Sequence, residues 1–453
     1  MVSGIPKRVR AVSVYVFMIL LLGPRVERIQ AMAPVERQVL PNGLILLSGE
    51  DHSLPLVTMQ VLVDAGSRKD PPGEEGLAHL TANGLLLGTT SRTMATMNEE
   101  LDFIGASLVI TTGRDFITLT LRVLKKDLER GFGLLREALT QPSFPGEEIR
   151  KEVAKTLAGI ESTEENPMEV AEKAFRKALF GGSPYGHPVE GTRESLARLR
   201  REAAVGFWST YYHPNNTVLA VVGDITDQEV KSKLIPGLSQ WPKGQIPKEL
   251  FNMTFEKGPK TLVIDKNIAQ ANIVLGNGGV SRGNPDYYAL TVTNQIFGGG
   301  GFGSRLMEEI RVKRGLAYSV ASFFDAGTYP GSFQVVLQTK NASAREAISL
   351  VLQEMNRIRQ EPVSEEELER AKKYLTGSFP LRLDSQAKLV RFMAQTEYYG
   401  LGWDYPERYP ALIGSVTKEE ILRVANAYMH PESYVLVVVG NIKEAGLSGS
   451  AGK

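Results

Sequence analysis

The segments YYHPNNTVLAVVGDI (residues 211–225) and YMHPESYVLVVVGNI (428–442) agree at nine of fifteen positions and stand 217 residues apart. That period is far longer than a solenoid repeat and fits duplication of a whole domain. Each copy closes an amphipathic helical pattern, REAAVGFWSTYY or TKEEILRVANAYM, and opens an apolar strand. Thr417 and Glu420 add a capping-box signal to the second helix. The chain of 453 residues therefore reads as two similar halves: a first domain over 34–233, a Pro- and Gly-rich linker over 234–259, and a second domain over 260–445. Residues 446–453 read as a disordered tail.

Within each half, apolar stretches such as LVTMQVLVDAG, DFITLTLRVL, ANIVLGNGG and SFQVVLQTK look like strands of an antiparallel sheet with one packed face. Helical patterns lie between them at about 127–141, 146–180 with an interruption at Pro167, 342–361, 364–379 and 385–400. Ser364 and Glu367 form another capping-box signal. The expected class is α+β: two homologous halves, each an antiparallel sheet covered by helices on one face.

Composition narrows the chemistry. There is no cysteine, which excludes disulfides, thiolate nucleophiles and Cys-ligated metals, so any metal must be held by Asp, Glu or one of five histidines, His52, His79, His187, His213 and His430. Lys and Arg number 52 against 51 Asp and Glu, a balance that argues against nucleic-acid binding through a basic face. Lys7, Arg8 and Arg10 precede the apolar run AVSVYVFMILLLG (11–23), too short for an ordinary membrane span. Residues 1–33 are expected to direct export to the periplasm, either cleaved as a signal peptide or retained as a membrane tether.

His79-Leu80-Thr81-Ala82-Asn83 lies on an apolar helical stretch. Residues i and i+4 share a helix face, so H-x-x-E-H presents two zinc ligands with a glutamate base between them, and a distant carboxylate completes the protein ligands. Here the base position is Ala82 and the second ligand position is Asn83. Alanine accepts no proton, an amide is a weak zinc ligand, and one imidazole cannot hold a catalytic zinc. Elsewhere, a helix end carrying Arg311, followed after Gly315 by a strand carrying Tyr318, could aim a cation and a phenol at one point. Such donors suit a carbonyl becoming an oxyanion; a solvated arginine and a sheet-face tyrosine is the plainer alternative. The run Gly298, Gly299, Gly300, Gly301 lacks a following Lys-Ser/Thr, against phosphate binding. It reads as a loop that lets backbone approach a peptide or as a flexible hinge, or else as a helix-ending turn.

The stretch GSRKDPPGEEGLAHLTANGLLLGTTSR resembles the inverzincin segment of the pitrilysin/insulinase family of metallopeptidases, in its processing-peptidase-like branch. SPYGHPVEGTRESL (183–196), the two HP…VLxVVG copies and FGGGGFGSRLMEEIRVKRGLAYSV (297–320) extend the resemblance over most of the chain. The family's third zinc ligand falls seven residues after a supporting glutamate; Glu152 is kept, but Gly159 stands at the ligand position. Glu161 is two residues further, turned by roughly 200° on a helix. The resemblance implies that Arg311 and Tyr318 match the family's substrate-binding pair, and that this chain holds no metal. It further implies a homologous zinc-binding subunit as heterodimer partner, with zinc and the hydrolytic base on that partner and a peptide as substrate. An inactive structural or peptide-binding scaffold is the alternative it leaves open.

Overall fold

The strand that closes each copy of the repeat is buried along its whole length, with no polar alternation: Thr217–Gly223 (TVLAVVG) and Val435–Gly440 (VLVVVG). A strand of that pattern needs cover on both faces, and the computed structural model supplies it. The structure describes residues 35–249, 251, 253–255, 257–447 and 450–451; the segment expected to direct export lies outside them.

In the first half the strands are β1 (Glu36–Val39), β2 (Ile45–Glu50), β3 (Leu56–Val63), β4 (Ser107–Thr112), β5 (Ile117–Leu124) and β6 (Thr217–Gly223), in the spatial order β1-β2-β6-β3-β5-β4. In the second they are β7 (Lys260–Asp265), β8 (Gln270–Gly278), β9 (Ala317–Asp325), β10 (Ser332–Lys340), β11 (Val435–Gly440) and β12 (Ser450–Ala451), in the order β12-β7-β11-β8-β10-β9. Five strands superpose in topology, β2-β6-β3-β5-β4 on β7-β11-β8-β10-β9, and each sheet adds one edge strand beside the same neighbour.

The helices used below are α1 (Leu77–Gly84), α2 (Leu128–Thr140), α3 (Gly146–Glu165), α4 (Pro167–Phe180), α5 (Arg201–Tyr211), α6 (Tyr287–Asn294), α7 (Ala344–Gln360), α8 (Glu365–Ser378), α9 (Gln386–Tyr398), α10 (Tyr405–Gly414) and α11 (Lys418–Tyr428). Every long helix expected from periodicity is present within about two residues of its expected ends, and the capping boxes at Ser364/Glu367 and Thr417/Glu420 are both formed.

The α+β class holds, with two differences from the expected halves. The sheets are mixed, since β2 runs parallel to β6 and β7 parallel to β11; long connections through several helices permit this crossover. The second face of each sheet is also covered, by a helix from the other half. Leu219 and Val221 of β6 pack in the first half's own core, while Val218, Ala220 and Val222 meet Val390, Met393 and Ala394 of α9. Reciprocally, Leu436 and Val438 of β11 face the second half's core, and Val435, Val437 and Val439 meet Ala171, Phe175 and Ala178 of α4. Pro167 makes the exchange possible: it ends α3, which stays in its own half, and starts α4, capped by Asn166 Oδ1 accepting from Met168 N at 3.0 Å.

The end of α9 adds polar ties to the first half. Tyr398 Oη donates to Asp64 Oδ1 at 2.9 Å and Tyr399 Oη to Asp115 Oδ2 at 3.2 Å. Buried Arg68 and Lys69 join Asp64 to Glu249, at 3.0 Å and 2.5 Å from the Glu249 carboxylate. Glu249 belongs to the stretch read as a linker, whose front is also structured: Ile235–Ser239 is helical, and Leu238 and Trp241 are buried. At the other end, where a disordered tail was expected, Ser450 and Ala451 pair in parallel with Leu262 and Val263.

Candidate functional site

α1 starts from a left-handed Gly76 (φ 94°) and is capped by Asp70, whose carboxylate accepts from Gly76 N at 2.8 Å and Ala78 N at 2.7 Å. Burial pushes that carboxyl up to about 8, against the pull of the two N–H donors. Leu77, Leu80, Ala82 and Gly84 sink into the core, which leaves His79 and Asn83 together on the half-buried face. Asn83 Nδ2 lies 3.0 Å from His79 Nε2. With the amide donating, Nε2 is the acceptor and the ring proton sits on Nδ1. Burial holds the imidazole below its ordinary pKa, so the neutral form is favoured.

The pair opens onto a cavity of about 630 Å³ between α1, α3 and α4. Glu152 lines it, buried and paired with Lys155 Nζ at 3.1 Å. Gly159 lines it too, and a Cβ there would meet nothing within 4 Å. Glu161 faces elsewhere, paired with Arg193 at 2.5 Å, as its helical angle requires. The remaining charges are mixed: Glu169, Glu172 and Glu190 against Arg114, Lys173 and Arg176. Burial raises Glu172, aided by Glu169, and lowers Arg114 to about 10, aided by Arg176.

These residues do not fit a zinc ion. The only imidazole has its Nε2 engaged by an amide, Ala82 is packed in the core, and Glu152 already holds a lysine. Among the described residues no group of three or more His, Cys, Asp or Glu is placed to hold a metal.

Arg311 and Tyr318 are brought together. Arg311 sits in a wide helical turn, Met307–Val312; Gly315 reverses the chain with φ 62°, and Tyr318 follows near the start of β9. The Arg311 guanidinium lies 4.6 Å from the Tyr318 ring centroid and 4.6 Å from that of Phe302. It has no carboxylate or hydrogen-bond partner among the described residues, and Tyr318 and Phe302 are 81% and 68% exposed. Both donors are thus free and oriented only by stacking.

The glycine run splits. Gly298 is buried, and a Cβ there would meet Ser322 Oγ at 2.5 Å, so that position is set by packing of a helix on β9. Gly299 and Gly301 are exposed, and Gly301 (φ 55°) turns the chain toward Phe302. The other histidines stand apart from His79: His213 rests on Ser209 O at 2.9 Å and Pro242 O at 3.2 Å, His187 on Pro188 O at 2.9 Å, His430 near Glu432 at 3.4 Å, and exposed His52 on Asp224 at 2.6 Å. Two participants were not singled out from sequence. Phe302 lay within the quoted FGGGGFGSR, an aromatic flanked by glycines, and Lys155 one turn from Glu152; both spacings were available signals.

Residues 46–193 match the insulinase family (peptidase family M16), and residues 198–375 match the peptidase M16 inactive domain. A protein of Rickettsia bellii named an uncharacterized zinc protease is 28% identical, over 85% of this chain and 93% of its own length. The Helicobacter pylori protein named non-peptidase homolog YmxG is 25% identical over 92% and 96%. A probable mitochondrial-processing peptidase subunit beta of Arabidopsis thaliana is 25% identical over 89% and 78%. Among solved structures, a peptidase M16 inactive domain from Pseudomonas fluorescens superposes with a TM-score of 0.83 at 28% identity, over 90% of this chain and 98% of that one.

Proposed function

Since the chain belongs to the insulinase (M16) peptidase family, we propose that it is a metal-free subunit of a two-chain zinc peptidase, which binds peptide for a homologous partner. The partner carries the complete H-x-x-E-H set and zinc. This chain contributes Arg311 and Tyr318, whose donors hold the peptide carbonyl as it gains negative charge. One observation carries the reading: Arg311 and the exposed Tyr318 are held side by side at 4.6 Å, neither with a carboxylate or hydrogen-bond partner among the described residues. Relatives named zinc protease, processing-peptidase subunit and non-peptidase homolog all suit a chain of this kind. The basic and then apolar start of the sequence supports export to the periplasm, with or without retention as a tether.

A scaffold role is the second reading, favoured by the closed His79–Asn83 pair. Reconstitution with an H-x-x-E-H companion separates the two. Peptide cleavage by the pair that depends on Arg311 and Tyr318 supports the shared site; cleavage unchanged in Arg311→Ala and Tyr318→Ala overturns it in favour of a scaffold.

A further inference from the structure

The second half has a cavity at the place that corresponds to the His79 cavity, between its first helix, α6, and the helix it lends to the other sheet, α9, with α10 closing one side. Its volume is about 440 Å³, within the range of small-molecule sites. Arg282, Arg382, Lys388 and Arg391 line it, and no Asp or Glu does. Lys388 is neutralised by Asp384 at 2.8 Å. The three arginines have no carboxylate partner among the described residues: half-buried Arg282 stacks on Tyr287 at 3.9 Å and donates to Tyr405 Oη at 3.0 Å, while Arg382 and Arg391 are exposed.

The first-half cavity balances its cations with four glutamates; this one leaves its positive charge to whatever enters. A concave wall of one sign focuses the field on its interior, and guanidinium forks match planar or tetrahedral oxyanions. Arg382 is also held at the cavity by aromatic rings, its guanidinium 5.7 Å from the Phe379 ring centroid and 5.5 Å from that of buried Tyr409.

We propose that this cavity binds a small molecule carrying at least two oxyanion groups, phosphate or carboxylate, held by Arg282, Arg382 and Arg391. Such a site stands whether or not the chain assists hydrolysis.

The test is calorimetry on the full chain at low salt, with inorganic pyrophosphate and citrate as probes. Saturable one-to-one binding with Kd below about a millimolar is expected, weakened about tenfold or more in Arg391→Gln or Arg382→Gln, surface changes that spare the fold. Arg314→Gln, an arginine outside the cavity paired with Glu309, is expected to leave binding intact. Pyrophosphate alone assigns the site to phosphates, citrate alone to carboxylates. The proposal is overturned by absence of saturable binding for both probes, by affinity unchanged in the arginine variants, or by binding of a hexaglutamate peptide and of neither small anion.

Discussion

His79 is half-buried with Nε2 engaged by Asn83 at 3.0 Å, whereas Arg311 and Tyr318 keep their donors free at a surface where Tyr318 is 81% exposed. One place lies on the first helix of the first half and the other at the turn into β9 of the second, and one is closed while the other is open. Water satisfies an exposed guanidinium or phenol, so the pair can stand idle at little cost until a ligand arrives. An imidazole in a partly buried wall has no such reserve: with neither a metal nor a carboxylate to receive it, a neutral amide one turn away supplies the missing hydrogen bond. A side chain with its own internal partner is a poor candidate for chemistry, and a preorganised one without a partner is a good one.

The comparison breaks most sharply at Arg311. Replacing both Arg311 and Tyr318 by alanine is expected to lower kcat/KM of the reconstituted pair by about 100-fold, the usual cost of losing an oxyanion donor, measured by peptide cleavage at matched assembly. A closed site can also be opened. The triple change Ala82→Glu, Asn83→His and Gly159→Glu, with free space around Gly159, is expected to bring bound zinc from none to about one equivalent per chain by elemental analysis; a metal-free triple variant that folds normally would mean that the framework itself has drifted.

Smaller effects sharpen the contrast. Phe302→Ala removes one of the two rings stacked on Arg311 and is expected to reduce pair activity about two- to fivefold, the worth of an exposed cation–π contact, with KM and kcat resolved separately. The smallest effect concerns pH. Burial holds His79 below its ordinary value, so between that lower pKa and the unfolded value of about 6.5 the unfolded chain binds more protons than the native one, and stability falls as pH drops through this window. Urea unfolding at pH 5.5 and 7.5 is expected to show a smaller pH difference in His79→Gln than in the native protein. His187, also lowered by burial, retains its share in both.

Much of this was legible in sequence because it is local. Periodicity located α2, α3, α7, α8 and α9, capping pairs marked the starts of α8 and α11, and a seven-residue spacing across Gly315 was enough to bring Arg311 to Tyr318. His79, Ala82 and Asn83 could be read against H-x-x-E-H because a helix puts i and i+4 on one face, whereas Gly159 was reached only through the family resemblance. Phe302 over Arg311 depends on how Gly298 packs on β9, a contact between segments that spacing does not relate. The arginines of the second-half cavity come from 282, 382 and 391, positions that only the packed chain gathers.

By itself the sequence determined that there are two copies of one sheet-and-helix unit, that β6 and β11 are buried throughout, and that Ala82 and Asn83 stand where H-x-x-E-H carries its glutamate and second histidine. Tertiary structure alone decided which surface covers which. An amphipathic helix records that one of its faces must leave water, but hydrophobic burial is non-directional, so the pattern of α4 or α9 does not name the sheet it will cover. The break at Pro167 and the length of chain before α9 let each helix cross to the other half, where Phe175 and Met393 find a bare sheet face, and that exchange makes the two halves one body.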